Sequence, residues 1–138
     1  MACAGLIRLG FEDRIKQPLD VQTSLPAVGQ GALGIENRKD DETVRELIKP
    51  LIDSKTMTEV LAERAMNTTL EGSCSVAIAA YATTIGEELL LKGLVGNVEL
   101  GSILRAKSTG PISQPKALGE LVASHLLDSG AGKLLEGR

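Results

Sequence analysis

The sequence predicts an α+β fold in which residues 54–138 form a helix, a three-stranded antiparallel sheet and a closing helix. Three observations carry that prediction. Apolar residues recur at helical spacing in two segments, about 56–69 and 116–128. Between them lie three short apolar stretches, Val76–Tyr81, Glu88–Val95 and Ser102–Lys107, separated by glycine-bearing turns. Connections that short join antiparallel neighbours, which gives a meander with its helices on one side.

From the start of the chain, Ala2–Ile7 reads as the last turn or two of a helix for which no N-cap is supplied. The sequence is therefore expected to continue a longer one. Residues 11–24 are polar and irregular, with Pro18, Asp20 and Ser24 marking turns. Residues 32–36 read as a short strand. A helix is expected over 42–52, capped by Asp40 or Asp41, with Val44, Leu47, Ile48 and Leu51 on one face. Pro50 should weaken or end it. The next helix starts near Thr56, where Thr-Met-Thr-Glu (56–59) matches a capping box. Glu63 and Arg64 fall on its solvated or interhelix face. After a loop at Gly110–Pro115, Ser113 is expected to cap a helix from about Lys116 to Asp128. Leu118, Leu121, Val122 and Leu126 form its apolar face, and Gly130 and Gly132 end it. His125 lies near that face and near the helix's C-terminal end, where the dipole or Asp128 can satisfy it.

The chain's 138 residues suffice for one ordinary domain or two small ones. Hydrophobic residues make up 43% and aromatics 1%, so the core must be aliphatic. A net charge of −3 and a pI near 5.2 argue against nucleic acid, whose binders carry a basic face. One Tyr, one Phe and no Trp also supply little for base stacking. Cys3 and Cys74 are too few and too far apart for a disulfide framework, and with His125 they make no metal-site spacing. Met1–Arg14 lacks a secretory pattern, and no stretch approaches a membrane span of about 20 apolar residues. A cytoplasmic, reduced protein without a membrane partner is the expectation, which leaves Cys74 available as a thiol.

Two stretches are candidates for chemistry. Ala62–Ile78 reads as a helix end, a Gly/Ser turn, Cys74 and the start of a strand. A thiol on such a turn can face a cavity, but reactivity requires exposure and a lowered pKa. A lone cysteine in apolar surroundings is more often inert, and spacing alone favours that reading. In Leu25–Arg38, Gly29, Gly31 and Gly34 spell Gly-x-Gly-x-x-Gly. The dinucleotide fingerprint needs a strand before it and a helix opening at it. Pro26 stands where that strand should be and residues 32–36 read as a strand, so these glycines are read as a hinge or bend.

Taken together, LPAVGQGALGIENR (25–38) and AERAMNTTLEGSC (62–74) resemble the porphobilinogen deaminase, or hydroxymethylbilane synthase, family. The resemblance extends through AGLIRLGFEDRI (4–15), GLVG (93–96) and LL-x-x-GA (126–131), and so covers essentially the whole chain. It implies a transferase that condenses four porphobilinogen units head to tail into hydroxymethylbilane, releasing ammonia, in tetrapyrrole, porphyrin and heme biosynthesis. The product grows on a dipyrromethane cofactor held by a thioether to one cysteine, here Cys74, which reverses the inert reading. Loss of ammonia leaves an electrophilic azafulvene whose methylene a soft thiol can trap. The pyrrole carboxylates call for cationic donors, and Arg8 matches a family arginine that contacts them. Gln30 and Gly31 match the hinge that lines the cofactor side of the cleft.

The same resemblance divides the chain. Residues 1–25 would end a second domain, and 26–53 would be a hinge with a strand and a helix of a first domain. Both domains resemble periplasmic binding proteins, and residues 54–138 would be the C-terminal cofactor-attachment domain. The family's general acid/base aspartate and most substrate-binding cations would precede this segment, so no catalytic residue and no metal ligand is assigned within it. Expected partners are porphobilinogen, the growing polypyrrole and the missing N-terminal half of the enzyme. The isolated chain is expected to be inactive. The alternative is a stand-alone binding or interaction module that keeps the C-terminal fold.

Overall fold

The protein is described by a computed structural model that covers residues 3–70 and 77–136. Helix α1 (Cys3–Arg8) is followed by a 3-10 turn at Glu12–Arg14, and α2 (Glu42–Ile48) runs into a second 3-10 turn at Lys49–Leu51. Asp41 caps α2 by accepting from the Val44 N–H, and Pro50 tightens its end, as the sequence predicts. None of the described residues up to 53 is buried. The expected strand at 32–36 is absent: these residues pair with no strand among the described residues, and Leu33 is 90% exposed. A strand needs a neighbour for its N–H and C=O groups, and the sheet offers this segment none.

Order of a different kind begins at α3 (Ser54–Thr69). Its N-cap is Asp53, whose carboxylate accepts from the Thr56 N–H at 2.7 Å, so the capping box read at Thr56–Glu59 is not the one used. Glu59 is drawn elsewhere by a stronger opportunity described below. Ala62, Met66 and Leu70 recur every four residues and turn one stripe of α3 inward.

The sheet follows in the order β1 (Ala77–Ile85), β2 (Glu88–Asn97), β3 (Ser102–Pro111), all antiparallel. Register runs from Ile85↔Glu88 through Leu91↔Ser108 to Asn97↔Ser102. Each strand is longer than its apolar run, because ladder pairing carries it into Thr83, Thr84, Ser108 and Thr109, and β2 continues through Gly96. Alternate residues Ala80 and Ala82 and Leu89, Leu91 and Val95 face the helices.

Helix α4 (Pro115–Asp128) opens with Pro at its first position and Gln114 as N-cap, with no side-chain cap; Ser113 does not serve. Its buried face is Leu118, Gly119, Val122, Ala123 and Leu126; Leu121, expected there, is exposed. His125 is exposed as well. Gly130 ends the helix, whereas Gly132 lies inside a further short helix, α5 (Ala131–Glu136). At Gly119 the two long helices touch. A Cβ there would collide with the Ala62 carbonyl oxygen and lie 2.7 Å from Ala65 Cβ and 2.8 Å from Met66 N. The core is thus one aliphatic cluster between α3, α4 and one face of the sheet, each buried Leu, Val or Met contributing about 1.5–3 kcal/mol.

Candidate functional site

One edge of the sheet, β1, has no strand beside it among the described residues, and its outward N–H groups at Ala80, Ala82 and Thr84 must find acceptors. Helix α3 lies along that edge and supplies two. Glu59 Oε1 accepts from the Thr84 N–H at 2.8 Å, and Glu63 Oε1 accepts from the Ala82 N–H at 2.8 Å. The spacing explains the match. Four helical residues rise about 6 Å, and two strand residues about 6.8 Å, so carboxylates at i and i+4 meet N–H groups at j and j−2. The third donor, Ala80 N–H, reaches the Pro26 carbonyl at 3.1 Å. That bond brings the glycine segment against the domain, where Val28 packs on the core.

Glu63 also reaches the segment. Its second oxygen accepts from the Gly29 N–H at 2.7 Å. The segment itself is wound by two turns, Gln30 N–H to Ala27 O at 3.0 Å and Ala32 N–H to Gly29 O at 3.1 Å. Gly29 and Gly31 take φ of +70° and +86°, which side chains with a Cβ rarely adopt, so the bend read from the sequence is a real one. Between it and α3 lies an open cleft of about 230 Å³, bounded by Gln30, Gly31, Thr56, Glu59, Glu63 and Tyr81 among others. Burial pushes the Glu63 carboxyl above its ordinary value; the N–H groups of Gly29 and Ala82 oppose that rise, and the nearby Glu59 charge adds to it.

The expected site residues fare differently. Gln30 and Gly31 stand at this cleft, both exposed. Arg8 ends α1, is exposed, and does not line the cleft. Cys74 lies outside the described residues, but the elements on either side of it are set in the core. Leu70 is buried at the end of α3, and Ile78 packs against the cluster from β1. Glu63, expected on a solvated or interhelix face, is instead 6% exposed between the glycine bend and the sheet. Sequence reasoning missed Glu59 and Glu63 because strand-edge capping leaves no local mark. The available signal was two carboxylates at i and i+4 adjoining the Ala62–Met66 stripe. Among the described residues no cluster of three or more His, Cys, Asp or Glu is placed to hold a metal.

Comparison with known proteins decides the ancestry. The profile described as "Porphobilinogen deaminase, C-terminal domain" matches residues 57–128, just over half of the chain. The chain belongs to the porphobilinogen deaminase family. A second profile, "Porphobilinogen deaminase, dipyromethane cofactor binding domain", matches residues 1–46. Relatives named porphobilinogen deaminase from Ruthia magnifica subsp. Calyptogena magnifica and Vesicomyosocius okutanii subsp. Calyptogena okutanii (strain HA) are 54% and 52% identical over 136 residues. Those matches cover 99% of this chain and 45% of each relative, so the chain spans less than half their length. The α+β architecture of residues 54–136 is accordingly that of the porphobilinogen deaminase C-terminal domain. No helix among the described residues is long and apolar enough to cross a membrane.

Proposed function

We propose that these 138 residues are the cofactor-attachment part of a hydroxymethylbilane synthase, a transferase that joins four porphobilinogen units and releases ammonia. The observation that carries this reading is identity above 50% along 99% of the chain to relatives named for that enzyme. On this reading Cys74 holds a dipyrromethane group through a thioether, and Gln30 and Gly31 border the same group from the hinge. When bound, that group supplies the primer on which the pyrrole chain lengthens.

The chemistry of the donor set fits this in part. A thiol provides a soft nucleophile and a linkage that resists hydrolysis. The exposed Gln30 carboxamide can donate to a pyrrole carboxylate. The depth of the cleft, lined by Glu59 and Glu63, repels such carboxylates, so the anionic groups belong at its mouth or beyond. Arg8 is the cation assigned to them; its role depends on a surface these 138 residues do not build around it. General acid/base work falls to groups in the part of the relatives' length that this chain does not span.

The test is an intact mass of the purified chain beside a Cys74→Ser control. A gain equal to two linked porphobilinogen residues, absent in the control, supports attachment at Cys74. Bilane formation by the 138-residue polypeptide alone would overturn the assignment of the acid/base groups elsewhere. An unmodified mass even after the chain is mixed with the remaining part of a relative would favour a binding module instead.

A further inference from the structure

We propose that Glu63 is a positioning residue, whose carboxylate clamps the hinge at Gly29 to the sheet edge at Ala82 and thereby sets where Gln30 and Gly31 stand. The proposal rests on the reading of Gln30 and Gly31 as cofactor-side groups.

Glu59 supplies the internal comparison. Both glutamates project from α3 toward β1, and each satisfies one outward N–H of that strand at 2.8 Å. Capping the edge therefore needs one oxygen per carboxylate. Glu59 does that work while carrying a loose ion pair with Lys55 at 4.0 Å. Glu63 spends its second oxygen on a residue 34 positions earlier in the chain, at 2.7 Å. It is also the buried polar side chain of the described core, so both of its oxygens need donors and both have them. The tie is short, charge-assisted and two-ended, which fixes distance and direction between the two backbones it joins.

What it joins is otherwise lightly held. No described residue up to 53 is buried, and among the described residues this segment is further tied to the domain by the Pro26 carbonyl and the packing of Val28. Gly29 stands at the corner of both turns that wind the segment, since its carbonyl takes the Ala32 N–H and it lies within the Ala27–Gln30 turn. Holding its N–H therefore orients the two residues that follow. A hinge that must place backbone groups against a ligand gains from being fixed before the ligand arrives.

Amide hydrogen exchange of the whole 138-residue chain, read by NMR, tests the clamp. Gly29 should be protected although it lies in a region without buried side chains. Glu63→Gln keeps the shape but turns a donor toward an N–H. Its single remaining acceptor oxygen can serve Gly29 or Ala82 but not both, so exchange at one of the two should speed by about 10- to 100-fold, the range for losing a hydrogen bond to a charged group, while the Leu91 and Val122 amides stay unchanged as a measure of folding. Glu59→Gln should speed Thr84 and leave Gly29 alone. An unprotected Gly29 in the unsubstituted chain, or a Glu63→Gln that speeds neither Gly29 nor Ala82, overturns the clamp.

Its consequence is read separately, by the rate at which Cys74 gains mass when the chain meets preformed hydroxymethylbilane. Glu63→Gln should slow loading about 10- to 100-fold, the scale of a small misplacement of positioning groups, and Glu120→Gln, exposed on α4 and away from the cleft, should not. Lost Gly29 protection with unchanged loading would refute the positioning role. Failure of the unsubstituted chain to load even when mixed with the remaining part of a relative counts against the proposed function, and the exchange data still decide the clamp.

Discussion

Residues 3–53 and residues 54–136 are written in the same aliphatic vocabulary and end in opposite states. Helix α2 carries Val44 and Leu47 and continues to Leu51, all exposed. Helix α4 carries Leu118, Val122 and Leu126 at similar spacing, all buried. Apolar spacing alone does not distinguish the two stripes. The α4 stripe meets α3 and the helix-facing side of the sheet, while the α2 stripe meets no core among the described residues. Helical periodicity says which face would be buried; a tertiary partner decides whether it is. The same holds for strands. Residues 32–36 and β1 both read as strands, and the one with a ladder partner is the one that becomes a strand.

The largest effect expected from this contrast is at the helix contact. Gly119→Val would drive a branched side chain into the Ala62 carbonyl and Ala65. It should lower unfolding free energy in urea by about 3 kcal/mol or more, the upper range for overpacking. Leu33→Ala, at a residue 90% exposed, should change it by less than about 0.5 kcal/mol. A loss at Leu33 comparable to that at Gly119 would show that the first region is covered in solution, and the contrast would fail.

How much could be read in advance follows from the same physics. The three strands, their order and the two long helices were legible, because period-2 and period-3.6 patterns are local and short turns such as Gly86–Glu87 force neighbours together. The bend was legible at Gly29 and Gly31, because positive φ selects glycine. The caps were harder. Thr56 and Ser113 are good capping residues by type, yet Asp53 sits one turn closer to the true start, and Pro115 opens α4 without a side-chain cap. The roles of Glu59 and Glu63 were illegible, since each depends on an N–H about 20 or more residues away in sequence.

A second, smaller effect separates the buried carboxylate of the C-terminal region from exposed ones. Burial holds the Glu63 carboxyl above its ordinary value. Between that ordinary value and the folded one, the folded chain keeps a proton the unfolded chain has released, so stability should fall as pH rises through this window. Glu63→Gln should flatten that slope. Asp20 and Asp53 behave oppositely. Backbone N–H groups of Thr23 and Gln22, and of Thr56, hold their carboxyls below the ordinary value. Their contribution is present above that value and is lost as pH falls through the folded one. Urea midpoints from about pH 4 to 8, which brackets the carboxylate and imidazole range, read the Glu63 slope. Parallel curves for the unsubstituted chain and Glu63→Gln would remove Glu63 as its source.

The smallest effect is the sharpest comparison, because the same residue type does the same job in both regions. Asp41 accepts from the Val44 N–H at 3.1 Å to start α2, and Asp53 accepts from the Thr56 N–H at 2.7 Å to start α3. Replacing either by Ala removes one cap and changes no buried contact. If α3 is part of a cooperative core and α2 is not, Asp53→Ala lowers the urea midpoint. Asp41→Ala leaves the midpoint in place and takes away a little helical circular dichroism before the transition begins. Equal midpoint shifts would mean that α2 unfolds with the core, and its exposed stripe would then be held by something stronger than its own cap.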